Sequence, residues 1–139
     1  MAHWLLKTEP EEFSWDDQIA RGSKGEPWTG VRNFRARSNL KKMKEGEHAF
    51  FYHTGKEKQV VGIVEVTRAA YPDPTDGDGV FVAVTVRGVE RLPKPVTLAA
   101  VKATPPLKEM ALAKYPRLSV QPVTDKEWKT VCEMGGVPD

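Results

Sequence analysis

Trp28, Thr29, Gly30, Val31, Arg32, Asn33, Phe34, Arg35, Ala36 and Arg37 set two aromatic rings, three guanidinium groups and an amide beside a glycine turn. Stacking surfaces, cations and amides together are the chemistry that holds a nucleobase and its phosphates. The stretch opens a segment that is basic without interruption. From Trp28 to Lys44 the charged residues are Arg32, Arg35, Arg37, Lys41, Lys42 and Lys44, with no Asp or Glu. The chain as a whole holds 21 basic and 19 acidic residues, so the rest of it is net acidic. A net charge of +2 argues against a general polycationic coat for DNA, whose affinity rests on bulk phosphate neutralisation.

Placed on a helix from Arg32 to Lys44, Ala36, Leu40 and Met43 form an apolar stripe at i, i+4, i+7. Arg32 and Asn33 fall at the N-terminal end of that stripe, and inward polar groups need partners or a water-filled recess. Two readings follow. Asn33 caps the helix and Arg32 pairs with a buried carboxylate, or the two wall a pocket at the helix start, where backbone N–H groups favour anions. Lys41, Lys42 and Lys44 read first as a solvated face and second as a phosphate track. Trp28 reads either as a plug over the core or as a stacking platform worth about 1–3 kcal/mol per base.

Lys7, Thr8 and Glu9 close the first strand. They form a surface pair, hydrogen-bonding groups at a pocket mouth, or a nucleophile with a base; spacing alone does not separate these. Arg117, Ser119 and Gln121 share one strand face against Leu118 and Val120. That polar face is a solvent-facing edge, or it lines a recess and reads a base, since Ser and Gln both donate and accept.

Other chemical signals are weak. His3, His48 and His53 lack ligand spacing and Cys132 reads as core, so neither a metal nor a cofactor is expected. Gly77-Asp78-Gly79 is a hairpin turn, because no GK[ST] follows it. No nucleophile elbow is present. A single cysteine excludes an internal disulfide. One domain over residues 1–139 is expected from the length. With no signal-peptide pattern and no apolar run of about 20 residues, the expectation is a soluble cytoplasmic protein (nuclear in a eukaryote) without a membrane partner.

The elements that must position these residues follow from periodicity. Strands are predicted over His3–Glu9, Glu47–Thr54, Gln59–Tyr71, Val80–Leu92 and Leu118–Val123, the third and fourth joined as a long hairpin. Helices are predicted over Ser14–Arg21, Arg32–Lys44, Leu98–Ala103, Leu107–Lys114 and from Thr124 onward, the last with Trp128, Val131 and Cys132 on one face. Gly22–Pro27 reads as a loop. The class is α+β, with a mostly antiparallel, barrel-like sheet and peripheral helices.

The ordered set His3-Trp4-Leu5-Leu6-Lys7-Thr8-Glu9-Pro10, Trp28-Thr29-Gly30-Val31-Arg32-Asn33 with Ala36-Arg37, Gly46-Glu47, Phe50-Phe51-Tyr52-His53, Tyr71-Pro72-Asp73 and Arg117-Leu118-Ser119-Val120-Gln121-Pro122 resembles the EVE domain family over nearly the whole chain. The resemblance implies a PUA-like fold, a twisted, partly closed and mostly antiparallel β-barrel with flanking helices. It implies a non-enzymatic reader of DNA or RNA carrying a modified base such as a modified cytosine, flipped into a pocket at a cost of a few kcal/mol of unstacking. By similarity, Lys7, Thr8, Glu9, Trp28, Val31, Arg32, Asn33, Tyr52, His53, Ser119 and Gln121 surround the base, and Arg35, Arg37, Lys41 and Arg117 meet phosphates. Arg35 and Ser38 depart from the family pattern. The Pro72–Asp78 loop is shorter than in the best-known eukaryotic member, which puts duplex-wrapping contacts from that loop in doubt. The rival is an ASCH-like hydrolase of a modified nucleoside, using Lys7, Thr8 and Glu9. Consecutive strand residues alternate faces, so the three converge only through a bend or bulge.

Overall fold

A computed structural model describes residues 1–138. Its strands are β1 (His3–Thr8), β2 (Glu26–Trp28), β3 (His48–His53), β4 (Gln59–Pro72), β5 (Val82–Thr97) and β6 (Val120–Val123). Its helices are α1 (Trp15–Ala20), α2 (Phe34–Lys42), α3 (Leu98–Ala103), α4 (Ala111–Lys114) and α5 (Asp125–Gly135). The strands form one mixed sheet in the order β2-β5-β4-β3-β1-β6. Only β1 and β3 pair in parallel; the other neighbours are antiparallel.

The α+β class holds, but the sheet is not closed into a barrel. β2 and β6 lie at opposite ends of the strand order and are only three and four residues long. Each carries a proline, Pro27 and Pro122, and a residue without an N–H blunts an edge against further pairing.

Alternation along the strands buries both faces. Trp4, Leu6, Phe51, Val64, Val84 and Val86 pack on one side with Trp15 of α1 and Ala36 and Leu40 of α2. Leu5, Phe50, Tyr52, Val60 and Ile63 pack on the other with Val101 of α3, Leu112 of α4 and Trp128, Val131 and Cys132 of α5. We call these the first and second faces. Ser14 with Asp17 and Thr124 with Glu127 form full capping boxes at α1 and α5.

Three local expectations need correction. The segment expected as a loop ends in β2, which pairs with β5 through Trp28 and Val84. Gly25 permits this approach: its φ is +72°, and a Cβ there would sit 2.5 Å from the Val86 carbonyl oxygen. The helix expected over Leu107–Lys114 is a 3-10 turn at Pro105–Leu107 followed by α4, because Met110 is extended. The helix expected from Arg32 begins at Phe34, because Asn33 is extended (φ −108°, ψ 132°). No helix among the described residues is long and apolar enough to cross a membrane.

Candidate nucleic-acid interface

The first face opens where β1 ends. A cavity of about 320 Å³ lies between Lys7, Thr8 and Glu9, the Glu12-Phe13 turn, β2, the loop from Thr29 to Arg32, and Ser119. That volume is at the small end of ligand clefts, about 300–1,000 Å³.

The loop is held from behind by Asp73. Gly30, at φ +82°, donates its N–H to Asp73 Oδ2 at 2.9 Å, and Arg32 Nη1 donates to the same oxygen at 3.0 Å. Thr75 donates its N–H and hydroxyl to Asp73 Oδ1 at 2.7 and 2.6 Å. Arg32 Nη2 reaches the Thr75 hydroxyl at 2.9 Å. Asp73 is 2% exposed. Burial alone would raise its carboxyl pKa, but the bonds from Thr75, Gly30 and Arg32 outweigh it and hold the group at about 2. The hairpin turn after β4 therefore fixes the loop that walls the cavity.

Two cavity walls are aromatic. Trp28 and Phe13 meet at 82° with ring centroids 6.1 Å apart, and Trp28 meets Phe51 edge-on at 5.6 Å. Trp28 is 7% exposed, and its indole N–H has no acceptor among the described residues. It is thus part of the core and part of the cavity wall at once. The remaining lining is mixed in charge: Lys7 and Arg32 against Glu9, Glu12 and Glu26. Arg21 occupies Glu26 at 2.8 Å, whereas the Glu12 carboxylate has no partner among the described residues. Such a lining suits a neutral heterocycle with donors and acceptors better than an anion.

Lys7, Thr8 and Glu9 all line the cavity, yet their functional groups go to separate partners. Burial pushes the Lys7 ammonium pKa down, and that ammonium donates to the Pro116 carbonyl at 2.9 Å. The Thr8 hydroxyl donates to the Phe13 carbonyl at 2.8 Å, and a Glu9 oxygen accepts from Thr54 at 3.3 Å.

The structure gathers Lys7, Thr8, Glu9, Trp28, Val31, Arg32 and Ser119 around this cavity and places the other sequence candidates elsewhere. Asn33 is the N-cap of α2, accepting from Ala36 at 2.9 Å, and Arg32 precedes the helix. The first of the two sequence readings therefore holds: Asn33 caps α2 and Arg32 pairs with the buried Asp73 carboxylate, with the helix itself starting two residues later than expected. Tyr52 lies on the second face. His53 Nε2 accepts the Trp15 N–H at 3.0 Å and Nδ1 meets Glu57 at 2.8 Å, so the ring braces the start of α1. Gln121 is fully buried and donates to the Tyr115 and Leu118 carbonyls at 3.1 and 2.9 Å, shaping the turn before Ser119.

A neighbouring groove is lined by Asn33, Arg35, Lys114, Tyr115, Pro116, Arg117 and Leu118. The Arg35 guanidinium lies 4.4 Å from the Tyr115 ring centroid, leaving both cation and ring at the surface. Arg35 and Arg117 thus share a groove. Arg37 instead donates to the Val80 carbonyl at 2.9 Å, and Lys41 is exposed on α2. Sequence reasoning did not find Glu12, Phe13, Glu26, Lys114 or Tyr115 as lining residues. Pro10, ending β1 just before Glu12 and Phe13, is the one local signal that the chain turns back there. Among the described residues no group of three His, Cys, Asp or Glu side chains could hold a metal ion.

The pattern of the EVE domain matches residues 2–134. A solved Rhodopseudomonas palustris protein is 57% identical, with a TM-score of 0.93 over 98% of this chain and 94% of that one. Human thymocyte nuclear protein 1 is 35% identical over 96% of this chain and 73% of its own length. The human THYN1 protein solved in complex with 5-methylcytosine-containing DNA is 34% identical, with a TM-score of 0.89 over 100% of both chains. A Zymomonas mobilis ASCH protein shares the fold alone, at 11% identity and a TM-score of 0.60.

Proposed function

The chain belongs to the EVE domain family, and from that premise we propose that it reads a modified nucleobase in nucleic acid, without covalent chemistry. The observation that carries the proposal is a cavity with an aromatic corner and uncommitted polar groups, opening next to a groove lined by Arg35, Lys114 and Arg117. The base turns out of its stack into the cavity and packs on Trp28 or Phe13. That displacement costs a few kcal/mol, which selects sites where the base is already loosened or specially recognised.

Cytosine suits the lining. Its exocyclic amine is a donor for a carboxylate such as Glu12, and its carbonyl is an acceptor for Arg32, Lys7 or the Trp28 indole. A 5-methyl group adds apolar surface against the aromatic corner. The likeness to the THYN1 protein solved with 5-methylcytosine-containing DNA supports DNA as the partner, and RNA is the alternative polymer. The remaining phosphates lie along Arg35 and Arg117, with Lys114 as an added contact. Arg37 and Lys41 are secondary candidates, the first already engaged by Val80. The hydrolase alternative needs Lys7, Thr8 and Glu9 to act on one atom, and their separate hydrogen bonds count against it.

The test is titration of oligonucleotides carrying cytosine, 5-methylcytosine or 5-hydroxymethylcytosine, read by fluorescence anisotropy. Trp28 belongs to the core, so Trp28→Phe removes the indole while keeping most of the packing. We expect one modified base to be preferred, and the preference to shrink in Trp28→Phe and in Glu12→Gln. Equal affinity for every base, untouched by either substitution, refutes the proposal.

A further inference from the structure

Beside the base cavity lies another, of about 290 Å³, whose lining includes Lys7, Tyr52, Thr54, Lys58, Lys102 and Pro116. Its three lysines come from β1, from the turn between β3 and β4, and from α3; no carboxylate is among its lining residues, the nearest being Glu9, which accepts from Thr54 at 3.3 Å. Among the described residues neither Lys58 nor Lys102 forms an ion pair. Both are exposed, so their ammonium groups are open to an anion.

The backbone at Lys58 adds a second observation. Its φ is +46°, the only positive value at a non-glycine position among the described residues. Glycine or asparagine adopts that conformation more readily, so a lysine there sits against the local backbone preference. Its carbonyl accepts the Leu98 N–H at 2.8 Å, which pins the turn to the start of α3, the helix that carries Lys102. The recess also has a defined place. Lys7 lines both it and the base cavity, and Pro116 lines both it and the basic groove. The three depressions meet at the hydrogen bond from Lys7 to the Pro116 carbonyl.

We propose that the lysine recess holds a backbone phosphate of the same strand whose base enters the first cavity. The phosphate displaces counterions from Lys7, Lys58 and Lys102, with the Tyr52 hydroxyl as a further donor. The proposal takes its partner from the base-reading function but makes no use of which base is read.

The experiment is oligonucleotide binding across a salt series for wild type, Lys58→Gly and Lys102→Gln, with modified and unmodified cytosine. We expect each variant to weaken both oligonucleotides roughly three- to tenfold near physiological salt and to lower the slope of log affinity against log salt by about one. The ratio between the two oligonucleotides stays the same. Lys58→Gly guards against misfolding, since glycine relaxes the positive φ and the variant should melt no lower than wild type. Unchanged affinity and slope in both variants overturn the phosphate site. A lysine effect with no preference for any base supports the phosphate site and sinks the base reading instead. Inorganic phosphate followed by 31P NMR tests the other source: saturation at millimolar concentration, lost in Lys58→Gly while the oligonucleotide slopes stay unchanged, overturns a backbone phosphate in favour of a free anion.

Discussion

On the second face of the sheet Trp128 lies flat on Phe50, centroids 3.9 Å apart and 17° between planes, with His3 stacked on it at 4.3 Å. On the first face Trp28 meets Phe51 and Phe13 edge-on and leaves its indole N–H without a protein partner. Both tryptophans are nearly buried, at 8% and 7% exposure. The difference lies in what closes over them. Trp128 is carried by the capped helix α5 and pressed by it onto the sheet, whereas Trp28 stands at the end of an edge strand and is flanked by a loop that Asp73 holds in place. The first face also buries Gln18, Asn39 and His53, each bonded to backbone at 3.1, 2.7 and 3.0 Å. Side chains that tie loops and helix starts in place are what a preformed cavity needs, whereas the packing under α5, mainly apolar, chiefly stabilises the fold.

That contrast can be broken by substitution. Trp128→Ala should cost about 3–5 kcal/mol in chemical denaturation, the usual loss for a large buried aromatic, while leaving base preference unchanged wherever the variant is folded. A changed preference would mean that the two faces are coupled.

Asp73 comes next. Its carboxyl is held at about 2, below the ordinary 3.8, so the ionised form favours the folded state. The stabilisation is full above pH 4 and is lost as pH falls through about 2, amounting to roughly 2 kcal/mol. Asp73→Asn should remove that acid-range dependence and loosen the Gly30–Arg32 loop, weakening binding as well. An Asp73→Asn variant with the wild-type acid transition would contradict the role given to this carboxylate.

Asn33→Ala should cost about 1 kcal/mol of stability through loss of the α2 cap, with base preference intact. Altered preference would restore Asn33 to the base site. The smallest effect belongs to Arg117→Gln, a few-fold weakening for every oligonucleotide alike, with the salt slope lower by about one.

Much of this was legible from the chain. Alternation in His48–His53 and the capping boxes at Ser14 and Thr124 set the strand faces and helix starts, because both depend on neighbours in sequence. The sheet's openness was less so: nothing local says that Pro27 and Pro122 end up on opposite edges. For Arg32 and Asn33 two readings stood open, and the cap with a buried carboxylate partner is the one found, although the helix starts two residues later than the wheel assumed. The partner that fixes Arg32 is Asp73, far along the chain and brought in by the β4–β5 hairpin, and pairings of that range leave no periodic trace. Phe13 and Glu12 were missed for a different, local reason: the turn after β1 folds them back beside Thr8, and Pro10 marks that the strand ends without saying which way the chain turns.

The comparison between faces is tested most directly by a 15N NMR titration with an oligonucleotide carrying a single 5-methylcytosine. We predict that the Trp28 indole and the Gly30, Arg32 and Ser119 amides shift with the modified strand more than with its unmodified twin, while the Trp128 indole stays still. Shifts centred on Trp128 and α5, or identical shifts for the two strands, would contradict it.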